Sequence, residues 1–308
     1  MARAAHGHAD DLLTACLLAT SAPVLFVPAM NDHMWAHPQT ERNVAHLREI
    51  GYRVLDPDEG PLAVGEGSGP GRMPEPDTIF AHLGRILESD NTLRGRRVLV
   101  TSGATREPVD GVRFISNHST GKMGAAIAAA AWRRGADVTL IAGHTDVPLP
   151  GGPRVISADT TAAMARAVAD EIGAADALIM AAAPADFTVK SAASGKLKRE
   201  GGTPTLDLVE TADILKAASA ARKKGSVIVG FALETGDAAK RGEEKLRGKN
   251  LDMIVVNDQN EEGAGFGGDT NRVTLLSRDG KREELPLMLK TEVAEELLDR
   301  IGAMLNGS

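Results

Sequence analysis

The rhythm of apolar and polar positions divides the chain into two stretches. In the first, residues 11–20 (DLLTACLLAT) predict an apolar helix and residues 23–28 (PVLFVP) a buried strand. Residues 40–50 predict a second helix stopped by Gly51, and 52–55 a short strand. The run GPLAVGEGSGPGRMPEP, 60–76, is so rich in glycine and proline that a loop or flap is expected. Asp77 stands where a cap would, ahead of a helix to about Leu87. The polar segment ESDNTLRGRR, 88–97, reads as a linker, so the expected divisions are 1–87, a linker 88–96, and 97–308.

From residue 97 the pattern becomes strand–helix alternation. Short apolar runs at 97–102, 136–142, 154–157, 177–183, 227–231 and 252–257 are bounded by polar segments, as buried parallel strands are. Residues 122–132, ended at Gly135, and 161–172 predict helices, and 290–305 a last one. A hairpin about Asp279-Gly280 is expected between 272–277 and 281–287. The expected fold is α/β: a doubly wound, mostly parallel, Rossmann-like sheet with ligands at the carboxyl ends of its strands.

Composition narrows the function classes. The chain is 43% apolar, enough for a buried core. No apolar run approaches the ~20 residues of a membrane helix; the densest, 125–131, is stopped by Arg133-Arg134. The start, MARAAHGHADD, has no apolar signal-peptide core. Cys16 is the single cysteine, which excludes an intrachain disulfide and a cysteine zinc knuckle, and it is expected to be buried filler in the first helix. A reducing, cytoplasmic setting is expected. Net charge −7 with Trp 2, Tyr 1 and Phe 6 argues against a nucleic-acid binder, which needs positive charge and stacking faces.

The chemistry lies in the loops after the strands. SGATREPVDGVRFISNHSTGKMG, 102–124, runs into a helix start, where free N–H groups favour an anion. It is neither a P-loop, because the spacing before Gly121-Lys122 fails, nor the G-x-G-x-x-G dinucleotide fingerprint. A solvated loop with a helix cap remains open. After 177–183 come Pro184, Ala185 and Asp186, then Lys190, Lys196, Lys198 and Arg199. The carboxylate suits ribose hydroxyls, a base edge or a metal, and the basic run suits phosphate or is a solvated charge run. In ETADIL, 210–215, Thr211 or Asp213 is a candidate helix cap. Lys245 and Lys249 stand at i,i+4, where like charges repel by a few tenths of a kcal/mol, so either a shared anionic ligand or a plain exposed face is expected. His33 and His37 share that spacing, but Pro38 follows and no third ligand is near, so no zinc site is expected. His118 beside Asn117 has no assigned role. These residues reach a nucleotide-using enzyme, with Mg²⁺ sharing the phosphate charge, and do not name the nucleotide.

The string REPVDGVRFISNHSTGKMGAAIAAAAWRRGADVTLIAG resembles phosphopantothenate–cysteine ligase, half of a bacterial bifunctional coenzyme A biosynthesis family. AAAPADF, KLK, the ADIL segment, VGFALET, EKLRGKNLD and VVND follow in the family's order. ADDLL, PAMNDHMW (28–35) and GPGRM (69–73) resemble the carboxyl part of its flavodoxin-like partner, phosphopantothenoylcysteine decarboxylase. The resemblance covers essentially the whole chain.

It implies that the carboxylate of 4′-phosphopantothenate attacks the α-phosphate of CTP, giving an acyl-cytidylate and pyrophosphate, and that the amine of L-cysteine then displaces CMP. By family position Asn117 holds the acyl-cytidylate carbonyl, and Arg113 is expected to reach the substrate phosphate or carboxylate. Asp186 is implied to bind the cytidine, Met180, Ala181 and Ala182 to line the base pocket, and Lys196 to contact CTP and support turnover. Thr211, Ala212, Asp213 and Ile214 match a CTP-contacting segment, although the family often has Asn-Pro at Thr211-Ala212. Phe231 is implied to pack near the nucleotide, with Lys245 and Lys249 reaching its phosphates. A homodimer through the ligase part is expected.

In the decarboxylase part, Asn31 matches the substrate-binding asparagine, while Val64 occupies the family's proton-donor cysteine position and cannot transfer a proton. The FMN loop and catalytic histidine precede the matched region, so the chain is expected to be amino-terminally incomplete, with FMN-dependent decarboxylation lost. The alternatives are an NAD(P)-dependent Rossmann oxidoreductase, whose fingerprint is missing, and a non-catalytic flavin-binding or assembly module.

Overall fold

The computed structural model describes residues 1–197, 205–234, 238–258 and 267–307. Two compact units divide it, Met1–Ser89 and Asp90–Ser308. No helix among the described residues is long and apolar enough to cross a membrane.

In the first unit a helix spans Leu12–Ala19, capped by Asp11, whose Oδ1 accepts from Thr14 N at 2.8 Å. It does not bury its apolar face: Leu12 is 82% and Leu13 70% exposed, and Cys16 is exposed rather than core filler. The expected strand at 23–28 shrinks to Leu25–Phe26, half-buried and paired in parallel only with Arg53–Val54. Pro23 and Pro28 bracket it and have no N–H to extend a ladder. The second helix, Pro38–Glu49, starts two residues before the expected point because Pro38 takes the first turn and His37 Nδ1 accepts from Gln39 N. The glycine-rich run is not irregular throughout: Asp58–Pro61 and Ser68–Arg72 pair antiparallel. Gly71 makes this possible, with φ +145° and Met30 O only 2.1 Å from where a Cβ would stand, while Met30 N donates to Gly71 O at 2.9 Å. The next helix is Pro76–Leu87, so Asp77 lies in its first turn and does not cap it.

The second unit carries the main sheet, numbered here within that unit: β1 Arg97–Ser102, α1 Lys122–Arg133, β2 Asp137–Ala142, β3 Arg154–Ser157, α2 Thr161–Ile172, β4 Ala177–Met180, α3 Ile214–Ala221, β5 Val227–Glu234, α4 Ala238–Gly248, β6 Met253–Asp258, β7 Val273–Ser277, β8 Arg282–Glu284 and α5 Lys290–Asn306. The strand order is β8-β7-β6-β5-β4-β1-β2-β3. β3 through β6 are parallel neighbours, whereas β7 and β8 join antiparallel. The hairpin turns at Asp279-Gly280 as the dipeptide predicts, with Ser277 N donating to Lys281 O at 2.9 Å.

Both faces of the central strands are buried, which is why their sequences run apolar without alternation. Leu99, Leu178, Ile228 and Ile254 share one core cluster with Met164 and Val168 of α2, Ile214 of α3 and Leu246 of α4. Val100, Ile179 and Val229, of the other parity, are buried too, as are Ile127 of α1 and Leu297 and Ile301 of α5. Within 88–96, Leu93 is fully buried.

The chain runs outward from β1 to β3 and returns beside β1 as β4. This reversal lies between β1 and β4, and the carboxyl ends of strands at such a switch point are where open parallel sheets accept ligands. β4 ends at Met180, three residues before the expected limit, because Ala181 N folds back to Ile179 O and Ala183 N donates to Gly103 O at 2.8 Å. β5 instead runs on to Glu234, paired with β6 as far as Asp258.

Candidate functional site at the carboxyl ends of the strands

The register sets Thr101, Met180 and Gly230 side by side on β1, β4 and β5, with Phe231 one step further. Thr101 Oγ1 contacts Met180 Sδ at 3.4 Å and accepts from Ala182 N at 3.2 Å. Met180 is buried, Ala181, Ala182 and Phe231 are half-buried, and Asp186 is exposed.

A belt of hydroxyls anchors the turn after β4. Ala185 N donates to Thr105 Oγ1 at 2.9 Å, and Thr105 Oγ1 lies 2.9 Å from Thr161 Oγ1. Thr161 Oγ1 and Thr211 Oγ1 both donate to Ala185 O, at 3.2 and 2.6 Å, and Thr211 N donates to Asp186 O at 2.9 Å. Glu107 Oε1 takes Thr161 N at 2.8 Å. Thr105, Thr161 and Glu107 are buried polar groups that sequence reading did not single out. Their signal was polarity beside a strand end, which a solvated loop also shows.

Asn117 reaches this belt: its Nδ2 donates to Pro184 O at 2.9 Å, and its own loop is held by Ser116 Oγ on Thr105 O at 2.7 Å. The hydroxyl belt and Asn117 thus bring 102–117, 180–186 and Thr211 together. Ala212 is exposed and Ile214 buried in the core. Asp213 caps α3 by accepting from Lys216 N at 3.1 Å, which settles the choice between Thr211 and Asp213. Its carboxylate also meets Lys249 Nζ at 3.2 Å, so Lys249 faces an acid rather than only Lys245. Lys245 is exposed near the end of α4.

Lys196 is exposed, while Leu197 beside it is fastened: its N–H donates to Asp110 Oδ2 at 3.1 Å and its carbonyl accepts from Arg113 Nη2 at 3.1 Å. The Arg113 guanidinium, half-exposed, is engaged by Asp110 and holds that carboxyl well below the usual carboxylate range. Lys198 and Arg199 lie outside the described residues. Lys122, at the start of α1, pairs with Asp269 at 2.6 Å. None of these residues lines the cavity of about 150 Å³ bounded by Arg97, Asp137, Arg154 and Glu171 at the opposite ends of β1 and β2.

In the first unit, Asn31 Oδ1 caps the Asp32–Trp35 turn by accepting from His33 N at 3.0 Å. Val64 is fully exposed between the two flap strands.

Comparison with known proteins follows this division. The family model of the DNA/pantothenate metabolism flavoprotein C-terminal domain matches residues 93–305, and the Flavoprotein model matches 1–87. The chain is 46% identical over 303 residues to the coenzyme A biosynthesis bifunctional protein CoaBC of Bacillus subtilis, covering 97% of this chain and 74% of that one. It belongs to the CoaBC family. The Mycobacterium tuberculosis (strain ATCC 25618 / H37Rv) CoaBC is 45% identical, covering 100% of this chain and 77% of its own. A crystal structure of the C-terminal domain of CoaBC superposes with TM-score 0.61 at 37% identity, covering 71% of this chain and all of that one. The chain is thus an enzyme of coenzyme A biosynthesis, in a family of flavoprotein, decarboxylase and ligase activities.

Proposed function

We propose that the unit Asp90–Ser308 is a doubly wound, Rossmann-like phosphopantothenate–cysteine ligase that uses CTP in the crevice between β1 and β4. Asn117 on the Pro184 carbonyl is the observation that carries this reading. It sets an amide donor beside the turn that bears Asp186, at the reversal of strand order where nucleotides bind.

The carboxylate of 4′-phosphopantothenate forms a bond to the α-phosphorus of CTP, and pyrophosphate leaves. The amine of L-cysteine then attacks the acyl carbon, CMP leaves, and the amine loses a proton. Met180, Ala181 and Ala182 line the base, Asp186 takes the cytidine hydroxyls, and Phe231 packs beside the nucleotide. Thr211 to Ile214 contact CTP, with Lys245 and Lys249 as phosphate ligands. Lys249 exchanges Asp213 for phosphate at little cost, since an exposed pair of this kind is worth under about 1 kcal/mol. Lys196 opposes the charge that builds on the triphosphate, Asn117 donates to the acyl oxygen, and Arg113 engages the acidic substrate. Mg²⁺ shares the charge of the triphosphate. A cytoplasmic homodimer through this unit completes the proposal.

The first unit does not fit a working decarboxylase. Val64 stands at the proton-donor position and offers no proton, so no FMN-dependent step is assigned to this chain. Sustained CO₂ release from phosphopantothenoylcysteine with added FMN would refute that loss.

Lys196→Gln tests the ligase reading. Losing one charged contact to the transition state should lower kcat with CTP by roughly 10- to 100-fold. Unchanged CTP kinetics would show that the site is assigned wrongly. A thermal shift with NADPH and none with CTP would favour an oxidoreductase instead.

A further inference from the structure

Asp110 lies at the turn of a small hairpin, Arg106–Pro108 with Phe114–Ser116, and its side chain is wholly buried. Its two oxygens do different work. Oδ1 accepts from Val112 N and Arg113 N, both at 2.8 Å, which is all that closing the turn requires. Oδ2 is committed elsewhere. It receives Arg113 Nε at 2.9 Å and Nη2, and it receives Leu197 N, 87 residues away, at 3.1 Å. Arg113 Nη2 returns to the Leu197 carbonyl at 3.1 Å. Both backbone polar groups of Leu197 are therefore held by one carboxylate–guanidinium pair, and Ala193 N on Val109 O at 3.1 Å ties the segment upstream. Between these ties stand exposed Ser194, Gly195 and Lys196. A glycine beside a long, flexible lysine would leave the ammonium to wander, so the pair restricts where it can go. Burying a carboxylate is costly unless several donors surround it, and here three of its five donors come from the Arg113 guanidinium and from Leu197, the residue next to Lys196.

We propose that Asp110 is a positioning residue: through Arg113 and Leu197 it fixes the exit of the segment 193–197 so that Lys196 is presented to the nucleotide phosphates. This rests on the role of Lys196 proposed above. Arg113 keeps Asp110 ionised far into acid, so the clamp is charged throughout the neutral range.

Asp110→Asn keeps the shape and removes the charge. The experiment measures deuterium exchange at the amides of 193–197 and steady-state ligation in the wild type, Asp110→Asn, Lys196→Gln and the double variant. Exchange at Leu197 should accelerate at least 10-fold in Asp110→Asn. Its kcat should fall on the order of 10- to 100-fold, as misplaced catalytic groups do. In the Lys196→Gln background, Asp110→Asn should cost almost nothing further, because the two act as one unit. Multiplicative losses, or unchanged exchange at Leu197, would overturn the proposal. Should Asp110→Asn fail to fold, Arg113→Gln at a half-exposed position must accelerate the same exchange, and protection there would equally overturn it. Normal turnover in Lys196→Gln with accelerated exchange in Asp110→Asn would instead place the failure in the role of Lys196 and leave the clamp purely structural.

Discussion

Gly124→Ala separates helix propensity from packing by the sign of its effect. Gly124 lies in the first turns of α1, where replacing glycine by alanine in an exposed helix gains about 0.8–1 kcal/mol. Here α1 presses against the end of β1. An alanine Cβ would stand 2.6 Å from Ser102 Cβ and 2.8 Å from the Thr101 carbonyl oxygen. Neither neighbour is the free end of a flexible chain, and Ser102 Oγ is itself bonded to Gly121 O at 2.9 Å. The helix start must back away by roughly half an ångström or more to restore normal contact. Overpacking costs about 1–3 kcal/mol, and contacts this short on two residues put Gly124 in the upper part of that range, about 2–3 kcal/mol, so the net loss after the propensity gain is about 1–2 kcal/mol. For a unit of this size that is a fall in Tm of roughly 2–8 °C, readable by calorimetry. An unchanged or higher Tm would show that the close approach of α1 to β1 is not as described.

Two further outcomes follow. Asn117→Asp replaces an amide donor with a charge that repels the oxyanion, so pyrophosphate release should persist while product formation with cysteine falls at least 10-fold; equal losses in both halves would deny Asn117 its role in the second. Glu283 is held below the ordinary glutamate range by Arg300, its bond partner at 2.6 Å. A lowered folded pKa stabilises above the unfolded value of about 4.3 and is lost as pH falls through the folded one. Glu283→Gln should therefore cost up to about 1 kcal/mol at pH 7 and nothing near pH 2; parallel Tm–pH curves would refute this.

Strands β1, β2, β4, β5 and β6 were legible because they are largely buried on both faces, so a short apolar run could be little else; β3 at the sheet edge is mostly exposed. The first unit read less well. Periodicity marks which face is apolar but not whether anything covers it, and so Cys16, expected as buried filler, lies exposed. The flap strands were missed because glycine suppresses the propensity signal, while the Gly71–Met30 contact that uses glycine is tertiary.

The candidate site divides in the same way. Asn117, Asp186 and Lys196 stood out by residue type and resemblance. Thr105, Thr161, Glu107 and Asp110 did not, because a buried hydroxyl or carboxylate is defined by its partners, and those partners are far off along the chain.

The linear order of residues by itself determined the alternation of strand and helix, the loops that follow the strands, and the reactive side chains those loops carry. Local spacing and side-chain chemistry suffice for that. Only the tertiary structure decided that β4 returns beside β1, that Asn117 meets Pro184, and that Asp110 grips Leu197. Each of these joins segments dozens of residues apart, and such contacts exist only once the sheet has closed the distance and burial has made an unpaired polar group too costly to leave.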